Sequence, residues 1–336
     1  MTLNRFWQLD RHPVGHAIAD ALSLREEALA PLGDGTVRVA TRWLSMDAGT
    51  RLWMSPRTDG YQPPLPLGAK MVGLCLGRVV ESRDARFPEG ALVRGFGQWA
   101  DYATLLPDAS GLELLDETVS DPREHFGALG MNSWTAYVGI AEVAAVKAGD
   151  WVAVSAAAGA TGSLACQVAR NLGARVVGLA GGPDKCRYLR EELGVALAID
   201  YKAEDVAAVL AGLPQGLNAY FDNVGGPLLD AVLPHMAHYG RIAICGLLAS
   251  YNSDTALPGP ARFDQILMRR LRVEGFFLPD FLERGAEFLP RLRGWMEEGR
   301  LSVRFDETIG LDKVLTAYER MLTGRNIGKV IVRVAD

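Results

Sequence analysis

The segment Trp151-Val152-Ala153-Val154-Ser155-Ala156-Ala157-Ala158-Gly159-Ala160-Thr161-Gly162 constrains the fold more than any other. A short valine-rich apolar run ends in small residues, and an amphipathic stretch from Ser163 to Leu172 follows. That succession predicts a strand, a tight turn and a helix. Small residues at 157, 159 and 162 take the spacing of a dinucleotide fingerprint, with Ala157 in place of its first glycine. Missing side chains let a backbone turn approach a pyrophosphate, whose charge then sits at a helix N-terminus. Taken alone, the spacing also fits a plain tight turn in a parallel-sheet domain. The rest of the chain favours the nucleotide.

After Asp121-Pro122 the pattern predicts a helix over 125–146, and from Trp151 onward strands and helices alternate. Strands are expected over 175–180, 196–200, 217–222 and 241–246, with helices over 184–193, 203–211 and 228–238. A further strand over 272–278 follows the basic helix end Arg269-Arg270, then a last helix over 288–299 and a tail strand over 329–334. Strands separated by helices of this length imply a parallel sheet with helices on both faces. Before Pro122 the texture is different: short alternating runs such as Thr36-Val37-Arg38-Val39-Ala40, punctuated by Gly and Pro, predict an irregular β-rich domain. The tail strand is expected to rejoin it.

At 336 residues and 49% hydrophobic content, the chain can bury one large core or two. A net charge of −5 with no basic run argues against a nucleic-acid surface. The four cysteines, Cys75, Cys166, Cys186 and Cys245, lie far apart, which suits a reducing compartment. The N-terminus has no apolar signal-like region, and the uncharged stretch 151–169 is split by Gly159 and Gly162. These features lead us to expect a soluble cytoplasmic protein without a membrane span.

The order of parts, and motifs such as Val154–Ser163, Gly181-Gly182-Pro183-Asp184-Lys185-Cys186, Ile199-Asp200-Tyr201-Lys202, Tyr220–Gly226, Ile244-Cys245-Gly246, Ser250-Tyr251-Asn252 and Gly324–Lys329, have a familiar look. They resemble the medium-chain dehydrogenase/reductase superfamily. More narrowly, they resemble its zinc-independent branch of prostaglandin reductases and leukotriene B4 dehydrogenase, plant alkenal double-bond reductases and bacterial curcumin reductase. The resemblance is dense from about Leu129 and looser before it. It implies a GroES-like catalytic domain over 1–124, a Rossmann NADP-binding domain over 125–300, and a segment over 301–336 returning to the catalytic domain. It also implies a homodimer, paired across the edge strand near Val273.

Metal-dependent relatives need a Cys, His and Glu cluster, often with a lobe of four cysteines. Here the segment expected to carry Gly-His-Glu reads Gly68-Ala69-Lys70, and no cysteine lobe exists, so no metal is expected. His235 and His238 could share a helix face, yet no cysteine or acid completes a site. The second strand of the nucleotide sheet ends in Ala180-Gly181-Gly182, followed by Lys185 and Arg187. An acid there would bond the ribose of NAD, whereas an ammonium attracts the 2′-phosphate of NADP(H). Asp184 reads as part of the helix N-terminus. In the resembling family Lys185 and Tyr201 hold that phosphate.

The remaining cofactor contacts the resemblance implies are Ala158, Gly159, Ala160, Thr161, Gly162, Gly182, Asn223, Cys245, Gly246, Leu247, Phe276, Phe277, Leu278 and Asn326. For the phenylalanines and Leu278, ordinary core packing is an equal alternative. Tyr251 would lie over the nicotinamide ribose, either donating to a developing enolate or bracing the cofactor. Two departures from the family's pattern reshape the pocket: around Gly49, which replaces a family tyrosine, Trp53 enters a usually polar position, and the family's Met-Thr-Gly-Leu-Thr-Ala-Tyr appears as Met131-Asn132-Ser133-Trp134-Thr135-Ala136-Tyr137. Trp53 is expected to favour planar aromatic enones over flexible aldehydes. The leading expectation is NADPH-dependent reduction of α,β-unsaturated ketones or aldehydes. A zinc-independent quinone reductase and a catalytically silent dinucleotide-binding protein are the alternatives.

Overall fold

The computed structural model describes residues 2–58, 60, 63–252 and 258–335. The chain divides into two compact units. The first runs from the N-terminus to His125, takes in Tyr251 and Asn252, and resumes at Phe305. The second comprises Phe126–Ser250 and continues to Arg304.

The first unit is built of short strands. β1 (Leu3–Leu9) and β2 (Leu22–Ala28) pair antiparallel as a separate ribbon. β3 (Val37–Ser45) leads into a single turn of helix, α1 (Thr50–Trp53), and then to β4 (Val72–Ser82), β5 (Leu92–Gln98), β6 (Tyr102–Leu105) and β7 (Glu113–Leu114). A short helix, α2 (Pro107–Ser110), separates the last two.

The second unit is a six-stranded, all-parallel sheet made of β8 (Trp151–Val154), β9 (Arg175–Ala180), β10 (Leu197–Asp200), β11 (Leu217–Asp222), β12 (Met236–Ile244) and β13 (Arg272–Gly275). The helices that alternate with them are α3 (Met131–Tyr137), α4 (Ala160–Asn171), α5 (Pro183–Glu191), α6 (Val206–Ala211), α7 (Gly226–Val232), α8 (Asp264–Met268) and α9 (Gly285–Glu297). The spatial order is β10-β9-β8-β11-β12-β13. This is the Rossmann-type doubly wound order, which reverses direction between β8 and β11 and opens a crevice at their carboxyl ends. Strand residues Ala153, Val177, Leu179, Ile199, Tyr220 and Ile242 form one continuous core with Leu210 and Leu233.

The chain then returns to the first unit. β14 (Phe305–Ile309) lies parallel to β15 (Lys329–Arg333), and α10 (Val314–Leu322) connects them. β15 pairs antiparallel with β3, giving the order β14-β15-β3-β4-β5-β7, with β6 on β3. Trp99 and Tyr318, fully buried, meet edge to face at 5.3 Å in its core.

Four local expectations need correction. The helix expected over 125–146 is broken: 3₁₀ at Pro122–His125, α3, then a π-helical turn at Val138–Val143. The helix expected over 203–211 starts only at Val206, where the Asp205 side chain accepts from the amides of Ala207 and Ala208 and caps the first turn. The helix expected over 228–238 stops early, because Pro234 closes a 3₁₀ turn and β12 begins at Met236. His238 therefore sits on a strand, and His235 and His238 share no helix face. The strand expected over 272–278 ends at Gly275, and a 3₁₀ helix starts at Leu278.

Candidate active site

The turn after β8 is tight. Ala156 adopts φ +48°, a left-handed state that is costly for a residue with a side chain. So the strained position is Ala156, and Ala157, where the fingerprint's first glycine usually stands, is instead fully buried with its amide on Leu179 O at 3.0 Å. Gly159 caps α4 in an extended conformation. Gly162 lies in the first turn, where a Cβ would come within 2.2 Å of Ala156 O. Only a bare Cα fits there. Asn132, on α3, donates from Nδ2 to Thr161 Oγ1 at 2.9 Å, which ties it to the fingerprint turn.

At the end of β9 the backbone passes through Gly181 to Gly182, whose φ of +103° precedes α5. Lys185 lies in the first turn of α5, and Tyr201 follows β10. A Cβ on Gly181 would lie 2.8 Å from both Tyr201 Oη and Lys202 Cε. Two side chains of the loop after β10 thus converge on the bare end of β9. Asp184 is paired with Arg187 at 2.6 Å. Burial, then the neighbouring Asp200 carboxylate, push the Tyr201 hydroxyl pKa up, so it stays protonated and able to donate at neutral pH.

A hydrogen-bonded clasp joins the carboxyl ends of β8 and β11, at the reversal of the sheet. Asp222, fully buried, accepts through Oδ1 from Ser155 Oγ, Tyr220 Oη and the amides of Val224 and Gly225, all within 2.9–3.0 Å. Asn223 donates from its amide to Ser155 Oγ and from Nδ2 to Ser155 O. The amides of Cys245 and Gly246 both reach Asp222 O, and Leu248 N reaches Asn223 O. The loop containing Leu247 is therefore laid along the end of β11. Burial and the Asp222 charge push the Cys245 thiol up to about 12, which leaves it no nucleophilic role at neutral pH. The motif Tyr220–Gly226 contains Asp222, but its sequence assigns that acid no role, since a buried strand-end acid carries no spacing signature. Phe276 packs against Phe221 at 6.2 Å, and both rings abut Gly139 of the π-helical turn. Phe277 is exposed and Leu278 buried.

The first unit carries the other candidates. Trp53, at the end of α1, meets the exposed ring of Phe96 edge to face at 5.9 Å. Gly49, at the start of α1, has φ −61°, so the backbone does not require a glycine there. The buried Lys329 ammonium binds Asp47 Oδ1 at 2.5 Å and anchors the turn that leads into α1. Asn326 is buried and donates to Gly328 O at 3.0 Å. Tyr251 is a half-buried turn residue. Lys70, in the segment Gly68-Ala69-Lys70, pairs with Glu27 and covers the Phe6 ring. Among the described residues, no group of three or more His, Cys, Asp or Glu side chains could hold a metal ion, and no helix is long and apolar enough to cross a membrane.

Sheet order, glycine cradle and strand-end clasp define a dinucleotide-binding protein of the dehydrogenase and reductase class. Two family profiles match: residues 5–115 fit one described as the N-terminal domain of oxidoreductase, and residues 160–293 one described as zinc-binding dehydrogenase. The chain is 37% identical to an NADPH-dependent curcumin reductase of Escherichia coli, over 99% of this chain and 97% of that one. It is 35% identical to mouse prostaglandin reductase 1, over 99% and 100%. It is 36% identical to a tobacco NADP⁺-dependent 2-alkenal reductase, over 91% and 89%. The crystal structure of CurA from Vibrio vulnificus in complex with NADPH superposes with a TM-score of 0.92 at 32% identity, covering 99% of both chains. The chain belongs to the medium-chain dehydrogenase/reductase family, among the curcumin, prostaglandin and alkenal reductases.

Proposed function

We propose that this protein is an NADPH-dependent reductase of the carbon–carbon double bond in α,β-unsaturated ketones or aldehydes, acting without a metal. The observation that carries the reading is the cradle at Ala156–Gly162 in a chain alike, end to end, to NADPH-dependent enone and enal reductases. The residues fit the nucleotide. Gly162, and less tightly Gly159, let the turn at Ala156 close against the start of α4, whose N-terminal amides suit a pyrophosphate, and Lys185 with Tyr201 offers an ammonium and a hydroxyl to a 2′-phosphate. When bound, NADPH supplies the hydride received by the substrate's β-carbon.

The chain's own residues then serve orientation and charge. Cys245, Gly246, Leu247 and Asn223, fixed by the clasp at Asp222, face the crevice end of the sheet. Phe276, Phe277, Leu278 and Asn326 complete the nucleotide contacts. Reduction develops negative charge on the substrate carbonyl oxygen, and Tyr251 is the donor we assign to it. Trp53 and Phe96 supply an aromatic wall suited to planar enones. The homodimer is our assignment, supported by the exposed edge strand β13 with Phe263, Leu267 and Val273 uncovered nearby.

The test compares a cinnamyl-type enone, a straight-chain alkenal and a quinone by NADPH oxidation in wild type, Trp53→Ala and Tyr251→Phe. Wild type should prefer the aromatic enone, and Trp53→Ala should erase that preference. Tyr251→Phe should lower turnover about a hundredfold, the usual cost of one such donor. A quinone consumed faster than either enone refutes the substrate class, and wild-type turnover in Tyr251→Phe refutes the donor role.

A further inference from the structure

We propose that Lys202 is a second cation of the 2′-phosphate seat, set in place by the buried carboxylate of Asp200. With Lys185 and Tyr201 it selects the phosphorylated nucleotide; the assignment rests on the cofactor reading above and extends it to a further residue. The geometry starts at Gly181. A Cβ there would meet Lys202 Cε at 2.8 Å and Tyr201 Oη at 2.8 Å, so both side chains close over the bare end of β9. In this sheet order that strand end faces the ribose hydroxyl whose phosphate separates the two nucleotides.

Asp200 holds the two loops together. It is only 9% exposed, and its Oδ1 accepts from Gly182 N at 2.8 Å and Lys202 N at 3.0 Å. Tyr201 N donates to Ala180 O at 3.1 Å, so the residues on both sides of the seat are clamped. The acids nearby are already engaged by N–H groups. Asp200 takes two amides, Glu204 accepts the Asp200 amide at 2.7 Å, and Asp184 binds Arg187. What points over Gly181 is an ammonium-bearing chain and a phenol. That pair suits a dianionic phosphate, and a plain hydroxyl gives it nothing to neutralise. Asp200 is the positioning residue, and Lys202 makes the contact.

The experiment titrates the protein without nucleotide by calorimetry, using NADPH, NADH, 2′,5′-ADP and 5′-AMP as probes. Lys202→Gln should weaken NADPH and 2′,5′-ADP about tenfold, the effect of losing one charge-assisted hydrogen bond at an exposed site. NADH and 5′-AMP should bind as in wild type, and Lys202→Arg should restore most of the loss. Gly181→Ala should weaken the same two probes, because its methyl displaces Lys202 and Tyr201 without backbone strain. Wild-type NADPH affinity in Lys202→Gln, or equal weakening of all four probes, overturns the assignment while the cofactor reading stands. A wild type that binds NADH as tightly as NADPH overturns both.

Discussion

Gly162→Ala is the sharpest test of the nucleotide cradle, because two physical effects predict opposite signs. By helix propensity alone the change stabilises α4 by about 0.8–1.0 kcal/mol. The turn reverses that. The new Cβ would lie 2.2 Å from Ala156 O, 2.8 Å from Ala156 C and 2.9 Å from Ala157 Cα. All three are backbone atoms, and none can swing aside as a side-chain end could. Ala156 is already left-handed, and the turn is pinned by Ala157 N on Leu179 O and Gly159 N on Ala156 O. Overpacking of this kind costs about 1–3 kcal/mol, and loosening one buried hydrogen bond adds about 0.5–1.5 kcal/mol. Subtracting the helix gain leaves a net loss of about 0.5–3.7 kcal/mol. Urea unfolding of wild type and variant reads that loss, and a calorimetric NADPH titration reads the cradle. Gly159→Ala is the internal comparison: its Cβ meets the same carbonyl at 3.2 Å, with no second contact, so its effect should be clearly smaller. A Gly162→Ala protein that unfolds at or above the wild-type urea midpoint, with NADPH affinity intact, refutes the argument.

Other outcomes follow from single features. Lys185→Ala should raise the KM for NADPH roughly tenfold to a hundredfold and leave that for NADH largely unchanged; equal losses would assign Lys185 to folding. Exhaustive chelation should leave activity intact, with elemental analysis finding no stoichiometric zinc, because no group of three or more His, Cys, Asp or Glu side chains among the described residues could hold a metal ion; one tightly bound zinc per chain refutes this. Sedimentation should give a dimer, since all four residues of β13 are exposed at the sheet edge; a monomer at every concentration rejects pairing there.

The elements legible in the sequence were those whose side chains report their own surroundings. The strands over 175–180 and 217–222 fall where β9 and β11 lie, because each is buried on both faces and reads as a continuous apolar run. Legibility failed where one pattern ran through two conformations. Leu228, Leu229, Val232, Leu233 and Met236 keep helical spacing, yet Pro234 and the start of β12 cut the helix, and Met236 is buried as a strand residue instead. Likewise Val273, Phe276, Phe277 and Leu278 look like one strand. The chain leaves the sheet at Gly275 so that Phe276 can pack against Phe221 and Gly139.

The site divides along the same line. Glycines and small residues at the fingerprint advertise a close backbone approach, whereas the groups that hold the approach in place are acids that each also take a partner far along the chain. Asp222 gathers Ser155 with Val224 and Gly225, Asp200 gathers Gly182 with Lys202, and Asp47 meets Lys329 across most of the sequence. None has a periodicity, because a carboxylate that organises two loops is defined by where strands end in space. Each strand-end carboxylate in the nucleotide unit accepts backbone amides at a sheet terminus, so the acids fix the turns while the chemistry facing the crevice stays with amides, hydroxyls and ammonium groups. A negative charge in the crevice would oppose a polyanionic nucleotide, and the backbone amides that Asp222 and Asp200 accept offset part of theirs.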